Sequence, residues 1–202
     1  MNEYLIFTGR PNAGKSSIIK CTLGLDVSTG KYPGTTRRIS KYPLSHGLVL
    51  VDMPGYGKIL KASKEMEDKT KDRIIDFLEY NAERVVLAVH VLDISTFMEV
   101  NWRLEKKDVR SLDLEMIQFL NETLGELPLI AANKIDKAGN QLDENIVELR
   151  NRLNMLNLLL CDVCVFPVSA RTGEGLGALK NEIHKRLVNK GHRTPFNLLK
   201  NR

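Results

Sequence analysis

A glycine-rich octapeptide near the start of the chain has the residue types and spacing needed to hold phosphate groups. It runs from Gly9 to Ser16 and matches the pattern G-x-x-x-x-G-K-S/T between a predicted strand and a predicted helix, which is the context of a P-loop. Backbone N–H groups would surround phosphate oxygens, Lys15 would reach the outer phosphates, and the Ser16 hydroxyl would bind Mg²⁺. The residues expected at the phosphates are Gly9, Arg10, Pro11, Asn12, Ala13, Gly14, Lys15, Ser16 and Ser17.

A second short motif, DMPG at 52–55, follows an apolar stretch that predicts a strand. A carboxylate at Asp52 can hold Mg²⁺ through water, and the backbone N–H of Gly55 is placed to sense a terminal phosphate. This motif alone would be an ordinary turn. Its position after the P-loop and at the end of a strand indicates a phosphate-sensing loop.

A third motif, NKID at 133–136, also follows a predicted strand and indicates which base is bound. A carboxylate at Asp136 accepts hydrogen bonds from the ring N–H and the exocyclic amine of guanine, a donor pair that adenine lacks. The aliphatic stem of Lys134 can cover the purine face. The backbone at 169–170 would donate to the guanine carbonyl. The residues expected at the base are Asn133, Lys134, Asp136, Ser169 and Ala170.

Two adjacent threonines, Thr35 and Thr36, lie between the first two motifs in the sequence PGTTR. A threonine hydroxyl from a loop can complete the Mg²⁺ shell only when the terminal phosphate is present, so the loop would order and disorder with the nucleotide state. The chemistry alone does not choose between the two residues.

The elements that must position these motifs alternate between strands and helices. This order predicts an α/β, three-layer P-loop NTPase fold, with a mostly parallel six-stranded sheet, one antiparallel edge strand and helices on both faces. The predicted strands are 3–8, 38–44, 48–52, 84–93, 127–132 and 163–168. The predicted helices are 17–23, 66–81, 113–124, 143–160 and a last helix with Leu176, Leu179, Ile183 and Leu187 on one stripe.

Composition favours one globular domain. The chain has 202 residues, of which 43% are hydrophobic, and this excludes a disordered or collagen-like chain. We expect a GTPase domain over 1–190 and a basic tail over 191–202. Residues 180–202 carry seven bases against one acid, while the rest is nearly neutral. This distribution is typical both of a segment that binds a polyanion and of a solvated end that aids solubility. A second basic stretch, 27–51, has no acid; its bases are Lys31, Arg37, Arg38 and Lys41.

No apolar run reaches the ~18 residues of a membrane span, and no signal peptide is visible. Three cysteines without a second cysteine pair favour reduced thiols over a zinc site. We therefore expect a cytoplasmic protein that has no membrane partner and is a monomer.

The motifs GRPNAGKSS, YPGTTR, VDMPGYG and NKID, in this order, resemble a translation-factor-type GTPase domain over nearly the whole chain. Within the Era-like branch they most resemble the EngB/YihA family, as does the segment LDLEMI at 112–117. The resemblance implies a switch that binds GTP and GDP and hydrolyses GTP, with Thr36 as the threonine on Mg²⁺. It also implies a role in assembly of the large ribosomal subunit, with ribosomal RNA as a partner. NKID in place of the bacterial TKAD, and a first strand close to Met1, fit a divergent branch such as an archaeal one.

The expected catalytic residues are Lys15, Thr36 and Gly55. Many GTPases have a glutamine after the DxxG motif, and here that position is Tyr56, so we expect slow intrinsic hydrolysis. In relatives with an asparagine at the position of Asn12, its side chain helps to hold a potassium ion beside the phosphates, and this ion is a second candidate cofactor. Asn12 could instead only shape the loop. The alternative functions are a non-ribosomal regulatory GTPase and a nucleotide-binding scaffold with little turnover.

Overall fold

The six strands found in the described part of the chain form a single sheet. The computed structural model describes residues 2–27, 38–57, 64–158 and 164–199, so the predicted roles of Thr35 and Thr36 lie outside the described residues. The strands are β1 (Glu3–Gly9), β2 (Ser40–Ser45), β3 (Leu48–Asp52), β4 (Val85–Asp93), β5 (Leu129–Asn133) and β6 (Val165–Val168). Their order is β2-β3-β1-β4-β5-β6, and only the β2–β3 pair is antiparallel. The predicted mostly parallel sheet with one antiparallel edge strand is confirmed.

Both edge strands of this sheet contain a proline. In β2 this residue is Pro43, which lies opposite Val49 beside an irregularity in the β2–β3 register. In β6 it is Pro167, opposite Ala132 of β5.

Helices lie between the strands along the chain and cover both faces of the sheet. They are α1 (Lys15–Leu23), α2 (Lys64–Asn81), α3 (Phe97–Glu105), α4 (Leu112–Leu124), α5 (Ile135–Ala138), α6 (Leu142–Met155) and α7 (Leu176–Asn189). None of the helices in the described ranges is long and apolar enough to cross a membrane. The polar segment 95–110, to which the sequence assigns no role, contains α3.

The alternation of side chains along the strands divides the core into layers. Leu5 and Phe7 of β1 lie in a cluster with α1 and α7, on one face of the sheet. Tyr4 and Ile6 point the other way, into a cluster with α2 and α4. Since β5 also sends Ile130 toward α4 and α6, the predicted three-layer arrangement is confirmed.

The register of the parallel strands brings the predicted motifs to one edge of the sheet. Phe7 of β1 pairs with Asp52 of β3, and Asp93 of β4 pairs with Asn133 of β5. Asn133 in turn pairs with Val168, the last residue of β6. Because the carboxyl ends of parallel strands face the same way, the loops that follow them meet there, which is where such sheets bind ligands.

The described part of the predicted tail, residues 191–199, lies against the body of the protein. Phe196 and Leu199 pack against the α1/α7 cluster, and the Phe196 ring lies 6.0 Å from that of His184. Nε2 of His192 lies 2.9 Å from a carboxylate oxygen of Glu3. This segment therefore contributes apolar contacts as well as charge.

The packing of Phe196 generates a stability prediction. We expect Phe196→Ala to lower the free energy of unfolding by about 2 kcal/mol, less than for a fully buried ring because Phe196 is half-buried. Leu198, which is 42% exposed, provides the matched control. Leu198→Ala should change the free energy of unfolding by less than about 0.5 kcal/mol. Urea denaturation of the full chain measures both. Equal stability of the two variants would contradict the assigned packing.

Candidate functional site

The P-loop passes so close to β5 that one of its glycines cannot be replaced. Gly14 has φ +95°, and a Cβ there would lie 2.2 Å from Nδ2 of Asn133. Gly14 is also the N-cap residue of α1, and its carbonyl accepts from the N–H of Ile18. The first N–H groups of α1, including those of Lys15 and Ser16, are thus directed toward the loop, where the helix favours negative charge.

The buried side chain of Asn133 joins two loops. Its Nδ2 donates to the Ala13 carbonyl at 2.8 Å, and its Oδ1 accepts from the N–H of Ala170 at 3.0 Å. Both ends of the Asn133 amide are therefore bonded to backbone. Asn133 thereby fixes the P-loop relative to the 169–170 segment. Its expected place at the base stays a prediction.

Asp136 lies at the start of α5 with both carboxylate oxygens bonded. Oδ1 accepts from Oγ of Ser169 at 2.6 Å, and Oδ2 accepts from Nε of Arg171 at 2.7 Å. The hydrogen bonds from Ser169 and Arg171 lower the pKa of Asp136, and the bond from Ser169 has the larger effect. The sequence analysis does not identify Arg171, which is the second residue after Ser169. The one signal for its role is that a basic residue follows a segment expected to lie near the Asp136 carboxylate.

Lys134 has a left-handed backbone (φ +70°) and reaches back toward β4. Its Nζ pairs with Oδ2 of Asp93 at 2.5 Å, and Oδ1 of Asp93 accepts from the N–H of Ser95 at 3.1 Å. Asp93 therefore holds the ammonium group of Lys134, and the aliphatic stem of Lys134 extends from the end of β5 to the end of β4.

The predicted phosphate lysine and the predicted magnesium carboxylate form a buried ion pair. Lys15 is 6% exposed and Asp52 is 1% exposed, and the Lys15 ammonium donates to Oδ1 of Asp52. Burial lowers the pKa of Lys15 and raises that of Asp52, while their mutual attraction opposes both shifts. Oδ2 of Asp52 is buried and has no hydrogen-bond partner among the described residues.

The loop after β3 contacts the P-loop directly. A Cβ on Gly55 would lie 2.9 Å from the backbone nitrogen of Pro11, so a side chain at this position would push the two loops apart. The next residue, Tyr56, is 3% exposed and packs in the core cluster of Met53 and Ile74.

A row of buried polar side chains, which sequence reasoning missed, lies beneath the P-loop. Oγ1 of Thr8 is 3.0 Å from Nδ1 of His90, and Nε2 of His90 is 3.2 Å from Oδ1 of Asp113 in α4. A guanidinium nitrogen of Arg10 lies 3.8 Å from Oδ2 of the same carboxylate. Burial and then the negative charge of Asp113 raise the pKa of Tyr56 well above its usual value. The row links β1, β4 and α4 under the loop.

Comparison with known proteins places this arrangement among GTP-binding proteins. The family described as 50S ribosome-binding GTPase matches residues 4–134. A probable GTP-binding protein EngB from Methanopyrus kandleri is 36% identical over 93% of this chain and 94% of its own length. The protein of the same description from Pyrococcus horikoshii is 37% identical over 89% of this chain and 81% of its own length. Both organisms are archaea, in agreement with the divergent branch indicated by the sequence.

Solved structures agree with the fold. A crystal structure of a probable GTP-binding protein engB has a TM-score of 0.81 at 35% identity. The match covers 92% of this chain and 99% of that one. Era from Aquifex aeolicus, bound to GDP and AlF4−, has a TM-score of 0.63 at 23% identity, over 92% of this chain and 57% of that one. The second likeness concerns the fold alone.

The two bonds of Asn133 generate a binding prediction. We expect Asn133→Ala to weaken GDP binding by about 2 kcal/mol, or roughly 30-fold, because the Ala13 carbonyl and the Ala170 N–H lose their buried partner. Titration with a fluorescent GDP derivative measures this. Asn145 is the matched control, because it is equally buried and accepts from the Met98 N–H at a distance from these loops. Asn145→Ala should keep GDP affinity within twofold of the wild type, and a similar result for Asn133→Ala would contradict the assignment.

Proposed function

Because the chain belongs to the EngB family of GTP-binding proteins, we propose that this GTPase is a switch that assists the assembly of the large ribosomal subunit. The family description as a 50S ribosome-binding GTPase supports the large subunit as the partner. The observation that carries the switch is the direct contact of Gly55 with the P-loop, since a loop held there can respond to a terminal phosphate.

At the phosphate end, we propose that Lys15 binds the outer phosphates and that Ser16, Thr36 and Asp52 hold Mg²⁺. The buried, unbonded Oδ2 of Asp52 fits this, because carboxylate and hydroxyl oxygens are the ligands that Mg²⁺ prefers. Bound Mg²⁺ would neutralise charge on the transferred phosphate. The N–H of Gly55 would donate to the terminal phosphate, and Lys15 would stabilise the charge that develops there.

At the base end, we propose that Asp136 reads guanine. Its two carboxylate oxygens have about four acceptor positions, so the bonds from Ser169 and Arg171 leave room for the ring N–H and the exocyclic amine. The N–H of Ala170 already donates to Asn133, so its contribution to the guanine carbonyl would require a shared bond. The stem of Lys134 would cover the purine face.

We also propose that the protein acts as a cytoplasmic monomer, since a large-subunit partner is found in the cytoplasm. The GTPase domain would span 1–190. The bases of 191–202, anchored through Phe196, would contact ribosomal RNA.

The side chain of Asn12 is exposed on the P-loop, and this position supports the potassium hypothesis. We expect GTP turnover to be several-fold faster in potassium than in sodium, because the ion adds positive charge beside the phosphates. Asn12→Ala should remove the difference. Asn12 has a left-handed backbone (φ +65°), and so does Asn157 (φ +53°), which lies after α6. Asn157→Ala is therefore the matched control and should retain the difference. Equal wild-type turnover in both salts, measured as phosphate release, would leave Asn12 with a role in loop shape only.

Co-sedimentation with purified large-subunit particles tests the ribosomal role. We expect the full chain to sediment with them when it is loaded with a non-hydrolysable GTP analogue and to remain in the supernatant with GDP, because the Gly55 loop senses the terminal phosphate. Small-subunit particles are the control. If the protein sediments with the large subunit in neither state, the ribosomal role is wrong and a non-ribosomal switch is the better description.

A further inference from the structure

An open groove lies between α2 and the beginning of β2, on the side of the sheet opposite α1 and α7. Its floor contains the half-buried ring of Phe77, and Tyr80 at its rim is 88% exposed. The lining residues are Arg38, Ile39, Arg73, Asp76, Phe77, Tyr80 and Asn81. An aromatic ring so exposed on a well-formed helix is available to a partner.

The groove combines this ring with positive charge. Arg38 and Arg73 are exposed and have no ion-pair partner among the described residues. Next to the groove, Nζ of the exposed Lys41 lies 5.1 Å from the ring centroid of Tyr4 and 5.2 Å from that of Phe77. Asp76 is the one acid among the described lining residues, so the groove carries a net positive charge.

Two exposed acids of α2 lie away from the floor of the groove, whereas Asp76 is part of its lining. Asp72 and Glu79 are exposed, and at 100° per residue they lie roughly 140–160° around the helix from Phe77. Arg73 and Tyr80 lie within roughly 60° of it. The side of α2 that faces the groove therefore presents Arg73 and Tyr80 beside Asp76, and the arginine would attract a polyanion.

We infer that this groove binds an unpaired stretch of RNA, with one base stacked on Tyr80 and with Arg38 and Arg73 on the flanking phosphates. Exposed aromatic rings beside arginines are the usual platform for single-stranded nucleic acid, since every base has a face that can stack. A protein partner would need a larger apolar contact area than Ile39, Phe77 and Tyr80 provide together. The inference rests on the proposed ribosomal function and names the surface that would contact the RNA.

The position of the groove would make RNA binding depend on the nucleotide. Arg38 is only two residues after Thr36 in the sequence, and α2 is the first described helix after the Gly55 loop. The two walls of the groove are therefore joined to the two loops that we expect to respond to the terminal phosphate. We expect tighter RNA binding with a GTP analogue than with GDP.

Fluorescence anisotropy with a labelled, unstructured 12-nucleotide RNA tests the surface, using the full chain loaded with a non-hydrolysable GTP analogue. We expect Tyr80→Ala to weaken binding about tenfold and Tyr80→Phe to stay within twofold of the wild type, because stacking needs the ring and not the hydroxyl. Arg73→Ala should weaken binding and reduce its salt dependence. Trp102 is 59% exposed on α3 with Lys106 over its ring, so Trp102→Ala is the matched control and should bind as the wild type does. Thermal unfolding verifies that each variant is folded.

The outcomes separate this inference from the ribosomal role. If the wild type binds RNA and Tyr80→Ala binds equally well, the groove assignment is wrong while the ribosomal role stands. If Tyr80→Ala loses co-sedimentation with large subunits but keeps its affinity for the naked RNA, the groove binds a ribosomal protein and the RNA assignment is overturned. If the wild type neither binds RNA nor sediments with large subunits, the proposed function itself fails.

Discussion

The site depends on contacts that leave no space for a Cβ atom on either side of the P-loop. Gly14 touches Asn133 on one side, and Gly55 touches Pro11 on the other. Because a close-packed interior transmits displacement instead of absorbing it, a change in either neighbour must move the loop. The geometry of the proposed phosphate site is therefore set by β5 and by the loop after β3, as well as by the octapeptide itself.

The two ends of the site differ in how their charges are balanced. At the proposed phosphate end, Lys15 and Asp52 neutralise each other out of contact with water, which makes any unpaired state of either group costly. At the proposed base end, Asp136 is balanced by Arg171, whose side chain is 71% exposed and can move at little cost. The first end thus contains a buried ion pair and the second an exposed one, and Asn133 connects the two loops between them.

The parts of this protein that could be predicted from sequence are those with local signals. The P-loop, the strands and the hairpin of β2 and β3 are specified by neighbouring residues, although α1 begins two residues earlier than expected, at Lys15. The roles of Asn133, Arg171 and His90 depend instead on pairs far apart in sequence, such as Asn133 with Ala13, and only the order of the strands brings these together. The short helix α5 was also missed, because four residues carry no periodicity.

The prolines in the two edge strands have a consequence for how these molecules behave when crowded together. An unpaired strand edge is a template on which another chain can add a strand, and this is a common route to aggregation. Pro43 and Pro167 each lack an N–H group and so interrupt the row of donors in their strands, and the exposed Lys41 adds charge to one edge. The segment Asn197–Leu199 also packs next to β2. The sheet is therefore poorly suited to growth by intermolecular backbone pairing.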